Sequence, residues 1–260
     1  MTLSIALAGK GGIGKTTLAA LLVRALREAG VRPVLAVDAD PNSTLAEALG
    51  VEAGTPLAVI REQGSTPEGS PASGIGRARA VEDQVQRAIT EADSFDLIGM
   101  GRPEGPRCYC AVNHLLRRTL DELTRNYAAV IIDNEAGMEH LSRRTTNDVD
   151  LLLAVANPAL PSARAARRIV DLSRELPVAI GRRALVVNRV GPAGIPPEVE
   201  RELAGLEVER VLDVPQDDDL ERAGAAGRDV FSLPADSPAV RAVGQLVAAV
   251  RPAPTAIHVP

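Results

Sequence analysis

A glycine-rich segment near the start of the chain carries residue types that bind phosphate. It reads Gly9-Lys10-Gly11-Gly12-Ile13-Gly14-Lys15-Thr16-Thr17 and contains the pattern G-x-x-x-x-G-K-[ST]. Glycines in such a loop let backbone N–H groups converge on phosphate oxygens at a helix N-terminus. Lys15 can then reach the terminal phosphates of a nucleotide, and the Thr16 hydroxyl can ligate Mg²⁺. The residues expected to contact the nucleotide are Gly9, Gly11, Gly12, Ile13, Gly14, Lys15, Thr16 and Thr17.

Lysine is confined to this loop. The chain has 29 basic residues, and all of them are arginine except Lys10 and Lys15. A lysine ammonium is a compact charge on a flexible stem, whereas the arginine guanidinium is a planar fork. The two exceptions therefore indicate that both loop positions require the compact ammonium.

The elements around the loop predict a particular fold class. A short apolar run over 3–8 precedes the loop, and helical spacing of apolar residues follows it over 16–29, ended by Gly30. Further short Val/Ile/Leu runs alternate with segments of helical composition, which is typical of a parallel sheet covered on both faces. The chain is thus predicted to be α/β, with a doubly wound, mostly parallel sheet. The further apolar runs cover 33–37, 95–100, 128–132, 151–155 and 184–187, and the clearest further helical segments cover 110–125 and 162–176.

The length of 260 residues suits one domain. We expect a single nucleotide-binding domain over 1–251. Within it, the Gly-, Ser- and Pro-rich stretch 61–80 is interpreted as a mobile surface loop. The Pro-rich tail 252–260 is predicted not to be helical.

Lys10 indicates a particular family of phosphate loops. A lysine directly after the first glycine resembles the deviant Walker A loop of the MinD/ParA and nitrogenase iron protein group, within the SIMIBI class of P-loop NTPases. The resemblance implies an ATPase that uses ATP and Mg²⁺ and works as a homodimer, in which Lys10 reaches across the interface to the partner's nucleotide. Lys10 and Lys15 would then both act in catalysis.

Acidic residues at two strand ends extend the resemblance. Asp38-Ala39-Asp40-Pro41 resembles the family's switch I, which implies that Asp40 positions the attacking water and that Asp38 lies near magnesium. Asp133-Asn134-Glu135-Ala136-Gly137 resembles switch II, which implies that Asp133 lies near the metal and Gly137 near the terminal phosphate. Each acidic residue taken singly could instead be a helix cap or a turn residue.

Residues after two later strands resemble the family's base-contacting positions. They are Asn188 and the run Pro215-Gln216-Asp217. For Asp217, a helix cap is an equally good interpretation. Taken together, the polar residues follow successive strands, as ligand-binding residues do at the crevice of an open parallel sheet.

The only two cysteines, Cys108 and Cys110, are separated by one residue. One such pair offers a metal two thiolates, which is half of a closed tetrahedral site. A two-fold dimer axis would bring two pairs together and create a four-thiolate site suited to Zn²⁺ or Ni²⁺. A strained, redox-active pair is the local alternative.

The segment from Gly101-Arg102-Pro103-Glu104 to Cys110, followed by Asp133 to His140, resembles the nickel-handling ATPases of carbon monoxide dehydrogenase maturation, the CooC group. This resemblance implies that Cys108 and Cys110 bind nickel or zinc at the dimer interface, and that the client metalloenzyme is carbon monoxide dehydrogenase. The stretch 61–80 departs from that group. His114 could approach the same metal, but a surface or packing role is the preferred interpretation of both His114 and His140.

Composition argues against other partners. The formal net charge is -5 and aromatic residues are 2% of the chain, so neither a basic surface nor a stacking platform for nucleic acid is expected. No apolar run is long enough to span a membrane, and the first run is too short for a signal peptide, so we expect a cytoplasmic protein without a membrane partner. The principal alternative is a MinD/ParA-like dimeric ATPase that acts on another client, with a redox-active or structural cysteine pair.

Overall fold

The computed structural model describes residues 2–40, 44–59, 74–101, 120–134, 148–176 and 178–250. Strands and helices alternate along most of this part of the chain. The strands are β1 Leu3–Gly9, β2 Val34–Ala39, β3 Ile89–Ala92, β4 Phe95–Gly99, β5 Ala129–Asn134, β6 Asp148–Ala156, β7 Ala179–Val190 and β8 Glu209–Pro215. The helices are α1 Lys15–Glu28, α2 Leu45–Ala48, α3 Gly74–Ala88, α4 Leu160–Glu175, α5 Pro197–Ala204, α6 Asp218–Ala225 and α7 Pro238–Val250, with a 3₁₀ turn over Val230–Ser232.

The strands form one sheet in the order β3-β4-β2-β5-β1-β6-β7-β8. Every neighbouring pair is parallel except β3 and β4, which are antiparallel. The chain leaves β1 towards one side of the sheet to form β2, and after β5 it crosses to the other side to form β6. The strand order therefore reverses around β1, which is where open α/β sheets bind ligands, at the carboxyl ends of the strands.

Alternate residues of the central strands enter two different cores. In β1, Ile5 and Leu7 are fully buried on one face, and Ala6 and Ala8 are fully buried on the other. Helices α1, α2, α6 and α7 cover the first face, and α3, α4 and α5 cover the second. This two-sided burial explains the continuous apolar runs of the sequence, and it confirms the predicted α/β class with a mostly parallel sheet. No helix in the described part of the chain has the length and apolar character needed to cross a membrane.

The prediction of a loop over 61–80 is wrong for residues 74–80, because α3 begins at Gly74. Val85 and Ala88, one helical turn apart, are fully buried in the second core and secure the helix to the sheet. The arginine and alanine residues between 77 and 80 are good helix formers, so the helix extends towards the N-terminus despite the two glycines. Residues 61–73 and the tail 252–260 lie outside the described residues. Of the predicted helix over 110–125, the described part is helical over 120–124.

The short strand β3 was not predicted. It reads Ile-Thr-Glu-Ala and pairs in antiparallel fashion with β4 through a tight turn in which Ser94 has a φ of 83°. Its side chains are half-buried or exposed, so it lacks the apolar run that identifies the central strands. Pairing with β4, rather than local sequence, makes this segment a strand.

Candidate functional site

The loop between β1 and α1 adopts a backbone that needs its glycines. Gly12 and Gly14 have φ values of 77° and 88°, in the region that disfavours residues with a Cβ. Gly9 has a different constraint, because a Cβ there would lie 2.7 Å from the carbonyl oxygen of Val155 on β6. The sequence pattern is therefore explained by backbone shape and by close approach to the sheet.

The two lysines of the loop point in different directions. Lys15, at the first turn of α1, is 7% exposed, and its ammonium donates a hydrogen bond of 3.3 Å to the carbonyl of Lys10. The side chain of Lys10 is exposed. Lys15 therefore supplies positive charge inside the loop, whereas Lys10 is available to a molecule outside this chain.

Asp38 lies near the end of β2, beside β5. It is 2% exposed, and its carboxylate accepts hydrogen bonds from the N–H groups of Asp40 at 3.1 Å and Leu45 at 3.0 Å. Burial raises the pKa of Asp38 to about 6, although these two hydrogen bonds oppose the increase. The second bond also connects the end of β2 to the start of α2, so Asp38 organises the backbone around Asp40.

Asp133 lies directly beside Asp38 in the register of the sheet, near the end of β5. It is completely buried, and neither carboxylate oxygen has a hydrogen-bond partner within ordinary distance limits in the part of the chain described. Burial raises its pKa to about 7, the approach of the Thr16 hydroxyl lowers it, and the charge of Asp38 raises it further. A buried carboxylate without partners is costly, so this position is built for a ligand that supplies them.

Magnesium with a bound nucleotide fits this arrangement. Mg²⁺ prefers oxygen ligands and is usually held by one or two carboxylates, a hydroxyl and substrate phosphates rather than by a closed protein cage. Thr16, Asp133 and Asp38 present such oxygens beside the Lys15 ammonium, which lowers the pKa of Asp133 through its charge. The described residues contain no cluster of three or more acidic, His or Cys side chains that would hold a metal alone.

Two consecutive residues near the end of β7 hold the phosphate loop. The Asn188 amide donates a hydrogen bond of 2.7 Å to the carbonyl of Ile13, and the Arg189 guanidinium donates one of 3.2 Å to the carbonyl of Gly12. Gly14 is needed for this approach, because a Cβ there would lie 2.7 Å from the Asn188 amide nitrogen. The predicted contact of Asn188 with the base stays a prediction, and its contact with the loop was not anticipated.

Asp217 is another residue predicted to contact the base, but both of its carboxylate oxygens accept hydrogen bonds from within the chain. One carboxylate oxygen caps α6 through the N–H groups of Asp219 at 3.0 Å and Leu220 at 3.2 Å. The other accepts the Ser237 hydroxyl and the Ala239 N–H at the start of α7. Burial raises the pKa of Asp217, but these four donors outweigh it and lower the pKa. The side chain thus fits the helix-cap interpretation, and any contact with a base stays a prediction.

A cavity of about 380 Å³ adjoins the loop. The loop and α1 form one wall with Gly14 and Thr17, and Asn188 and Pro215 form another. Gln216 is exposed beside the cavity, and its N–H donates to the carbonyl of Val190 at 2.9 Å. The cavity therefore lies between the phosphate loop and the residues predicted to contact the base.

Sequence reasoning missed two polar residues of this region. Arg189 is one, and its only sequence signal is its position next to Asn188. Asn134 is the other: it is 1% exposed, its amide donates to the carbonyl of Leu7 at 2.9 Å, and its Oδ1 has no partner among the described residues. The predicted metal and phosphate residues Cys108, Cys110 and Gly137 lie outside the described residues, as do His114 and His140.

Comparisons with known proteins agree with this geometry. Residues 4–230 match the model of the CobQ/CobB/MinD/ParA nucleotide-binding domain. The chain is 40% identical over 190 residues to an uncharacterized ATP-binding protein of Methanocaldococcus jannaschii, covering 72% of this chain and 75% of that protein. It is 37% identical over 186 residues to the carbon monoxide dehydrogenase accessory protein CooC of Rhodospirillum rubrum, covering 67% of this chain and 70% of that protein.

A solved structure shows the same fold. The septum site-determining protein MinD of Pyrococcus horikoshii, complexed with Mg-ADP, superposes with a TM-score of 0.67 at 24% identity, and the match covers 96% of each chain. The mostly parallel sheet and the helices on both faces are therefore those of MinD-type proteins.

Proposed function

The chain belongs to the CobQ/CobB/MinD/ParA family of nucleotide-binding domains and is a P-loop ATPase, and from this premise we propose that it is an ATP-dependent metallochaperone. In this proposal a homodimer holds nickel or zinc between the Cys108 and Cys110 pairs of its two subunits. It assists insertion of nickel into a client metalloenzyme, carbon monoxide dehydrogenase. The observation that carries the proposal is the Cys108-Tyr109-Cys110 motif in a chain that resembles CooC of Rhodospirillum rubrum.

The described side chains support the ATPase half of the proposal. Lys15 and the amides of the loop bind the phosphates, and Asp40 orients the attacking water. Thr16, Asp38 and Asp133 hold Mg²⁺, which neutralises charge on the phosphates when bound. Bound Mg²⁺ would give the buried carboxylate of Asp133 a partner, which the described residues do not provide. In this proposal Lys10, which is exposed on its own chain, reaches the nucleotide of the second subunit.

Thiolate chemistry supports the metal half. Two cysteines fill only half of a tetrahedral coordination sphere, so a tight site needs the pair from each of two chains. Two-fold symmetry brings the same segment of each subunit together. The expected stoichiometry is therefore one metal ion per dimer.

The test is equilibrium dialysis of Ni²⁺ and Zn²⁺ against the wild-type protein and the Cys108→Ala, Cys110→Ala double variant, each with and without ATP. We expect one tightly bound ion per two chains in the wild type and its loss in the double variant. The double variant should still bind ADP, because the nucleotide site uses neither cysteine. Light scattering should show that added metal shifts the wild type from monomer to dimer.

One ion per chain that persists in the double variant would refute the interface site. ATPase activity without specific metal binding would instead support a MinD/ParA-like ATPase with another client. A protein that binds iron and sulfide with strong colour would point to a cluster in place of nickel or zinc.

A further inference from the structure

Arg189 is exposed, yet its guanidinium lies against the phosphate loop. It donates to the carbonyl of Gly12 at 3.2 Å, and the neighbouring Asn188 amide donates to the next carbonyl, that of Ile13, at 2.7 Å. Two consecutive side chains of β7 thus hold two consecutive carbonyls of the loop. Both contacts join residues that are more than 170 positions apart in the chain.

The planarity of the peptide bond gives these contacts a consequence for anion binding. In a trans peptide the C=O and the following N–H point in opposite directions. Holding the Gly12 and Ile13 carbonyls towards β7 therefore turns the N–H groups of Ile13 and Gly14 away from β7. Convergent N–H groups in such a loop bind phosphate oxygens, so the two side chains hold the loop amides in a binding orientation before the nucleotide arrives.

Backbone strain at Arg189 supports a specific role. Its φ is 59°, a left-handed conformation that is rare for a long side chain, and it lies at an irregularity in the pairing of β7 with β8 between Val187 and Val190. The Arg189 N–H donates to the Asn188 Oδ1 at 3.0 Å, which offsets part of the cost. In a regular strand, consecutive side chains point to opposite faces. The left-handed conformation of Arg189 instead lets the side chains of Asn188 and Arg189 both contact the phosphate loop. Such conformations cluster at active sites and ligand-binding segments, which agrees with a role for Arg189 at the loop.

We propose that Arg189 is a positioning residue that orders the phosphate loop for the diphosphate part of the nucleotide. The proposal rests on nucleotide binding by this family and does not depend on the metal half of the proposed function. Arg189 acts through the Gly12 carbonyl and makes no contact with the base in this role. The ligand chemistry that it serves is a pyrophosphate group, with or without a nucleoside.

The test compares Arg189→Gly and Arg189→Lys with the wild type. Glycine suits a positive φ, so Arg189→Gly should remain folded, with an unfolding temperature close to that of the wild type. Dissociation constants are measured by calorimetry for Mg-ADP and for magnesium pyrophosphate. Arg182→Ala is the matched control, since Arg182 is also an exposed arginine of β7 but pairs with Glu209, on β8.

We expect Arg189→Gly to weaken the binding of Mg-ADP and of magnesium pyrophosphate by the same factor, roughly three- to tenfold for the loss of one exposed hydrogen bond. Arg189→Lys should recover part of the affinity, because an ammonium can donate to the same carbonyl. The control should bind both ligands as the wild type does. A loss confined to ADP would overturn the proposal in favour of a base contact, and unchanged binding of both ligands would overturn it outright.

Discussion

The backbone N–H of Met100 donates a hydrogen bond of 2.8 Å to the carbonyl of Asp38. This bond joins Asp38, near the end of β2, to the residue that follows β4. Two residues further on, the chain enters segment 102–119, which contains Cys108 and Cys110. Met100 also accepts a hydrogen bond of 3.0 Å from the N–H of Ala58. We therefore expect a displacement of Asp38 to move the backbone that leads to the cysteines.

This link predicts that nucleotide changes metal affinity. Because the proposed delivery function requires release of the metal, we expect a non-hydrolysable ATP analogue to weaken nickel binding, by about fivefold or more as is usual for coupled sites. Nickel must then weaken analogue binding by the same factor, which calorimetry in both orders of addition checks. Met100→Pro, which removes the N–H, should reduce the coupling, and Met100→Leu should keep it. Equal nickel affinity with and without the analogue would contradict the prediction.

Asp40 should separate nucleotide binding from hydrolysis. Its carboxylate is predicted to position the attacking water, whereas the loop amides and Lys15 are predicted to hold the phosphates and Thr16 to hold Mg²⁺. Asp40→Asn should therefore lower kcat by about 100-fold or more and change the dissociation constant of ATP by less than about threefold. Steady-state phosphate release and calorimetry provide the two values. Parallel loss of both would reject the assigned role.

Lys10 should act on the partner's nucleotide. Since its side chain is exposed and Lys15 already serves the chain's own loop, Lys10→Ala should bind ATP with nearly normal affinity. It should fail to form the ATP-dependent dimer or fail to hydrolyse ATP within it. Lys10→Arg should also hydrolyse ATP more slowly, because a planar guanidinium cannot replace a compact ammonium. Light scattering and phosphate release measure these properties. Normal turnover in Lys10→Ala would show that this is an ordinary P-loop enzyme.

Asp133 should reduce the stability of the ligand-free protein at neutral and higher pH. Folding raises the pKa of Asp133 from 3.8 to about 7. Between these two pH values the carboxyl group is therefore protonated in the native state and ionised in the unfolded state. Stability from this group is present below about pH 4 and is lost as the pH rises through about 7. Asp133→Asn removes this loss. The advantage of the variant in unfolding free energy should grow by up to about 3 kcal/mol between pH 5 and pH 8.

Chemical denaturation at the two pH values measures that difference. Magnesium and nucleotide should reverse it, because they stabilise the ionised carboxylate in the wild type and bind more weakly to the variant. An advantage independent of pH would show that the Asp133 carboxylate is not the group responsible.

Asp217 should prove structurally important. Its carboxylate holds the first turns of α6 and α7 through four donors, so Asp217→Ala should lower the unfolding free energy by about 2–4 kcal/mol. The matched control is the adjacent, exposed Asp218, whose replacement by Ala should change stability by no more than about 0.5 kcal/mol. Urea denaturation gives both values. Equal effects of the two substitutions would contradict the capping role.

The sequence alone determined the parts of this protein that local rules encode. Gly12 and Gly14 are needed for a positive φ, Lys15 and Thr16 follow them at a set spacing, and continuous apolar runs identify the buried parallel strands. Asp38 and Asp133 could be assigned to one edge of the sheet because the carboxyl ends of parallel strands meet there. These features depend on backbone conformation and periodicity within a few residues of each position.

Tertiary structure decided what depends on distant partners. Asp217 looks the same in sequence whether it caps a helix or contacts a base, and the choice follows from Ser237 and the start of α7, which the fold brings to it. Arg189 gains its role only because β7 lies beside the phosphate loop, and β3 is a strand only because β4 offers it an edge. The orphaned state of Asp133 likewise arises from complete burial between β1 and β2. Hydrogen bonds and desolvation between residues far apart in the chain are set by packing, and no local pattern records them.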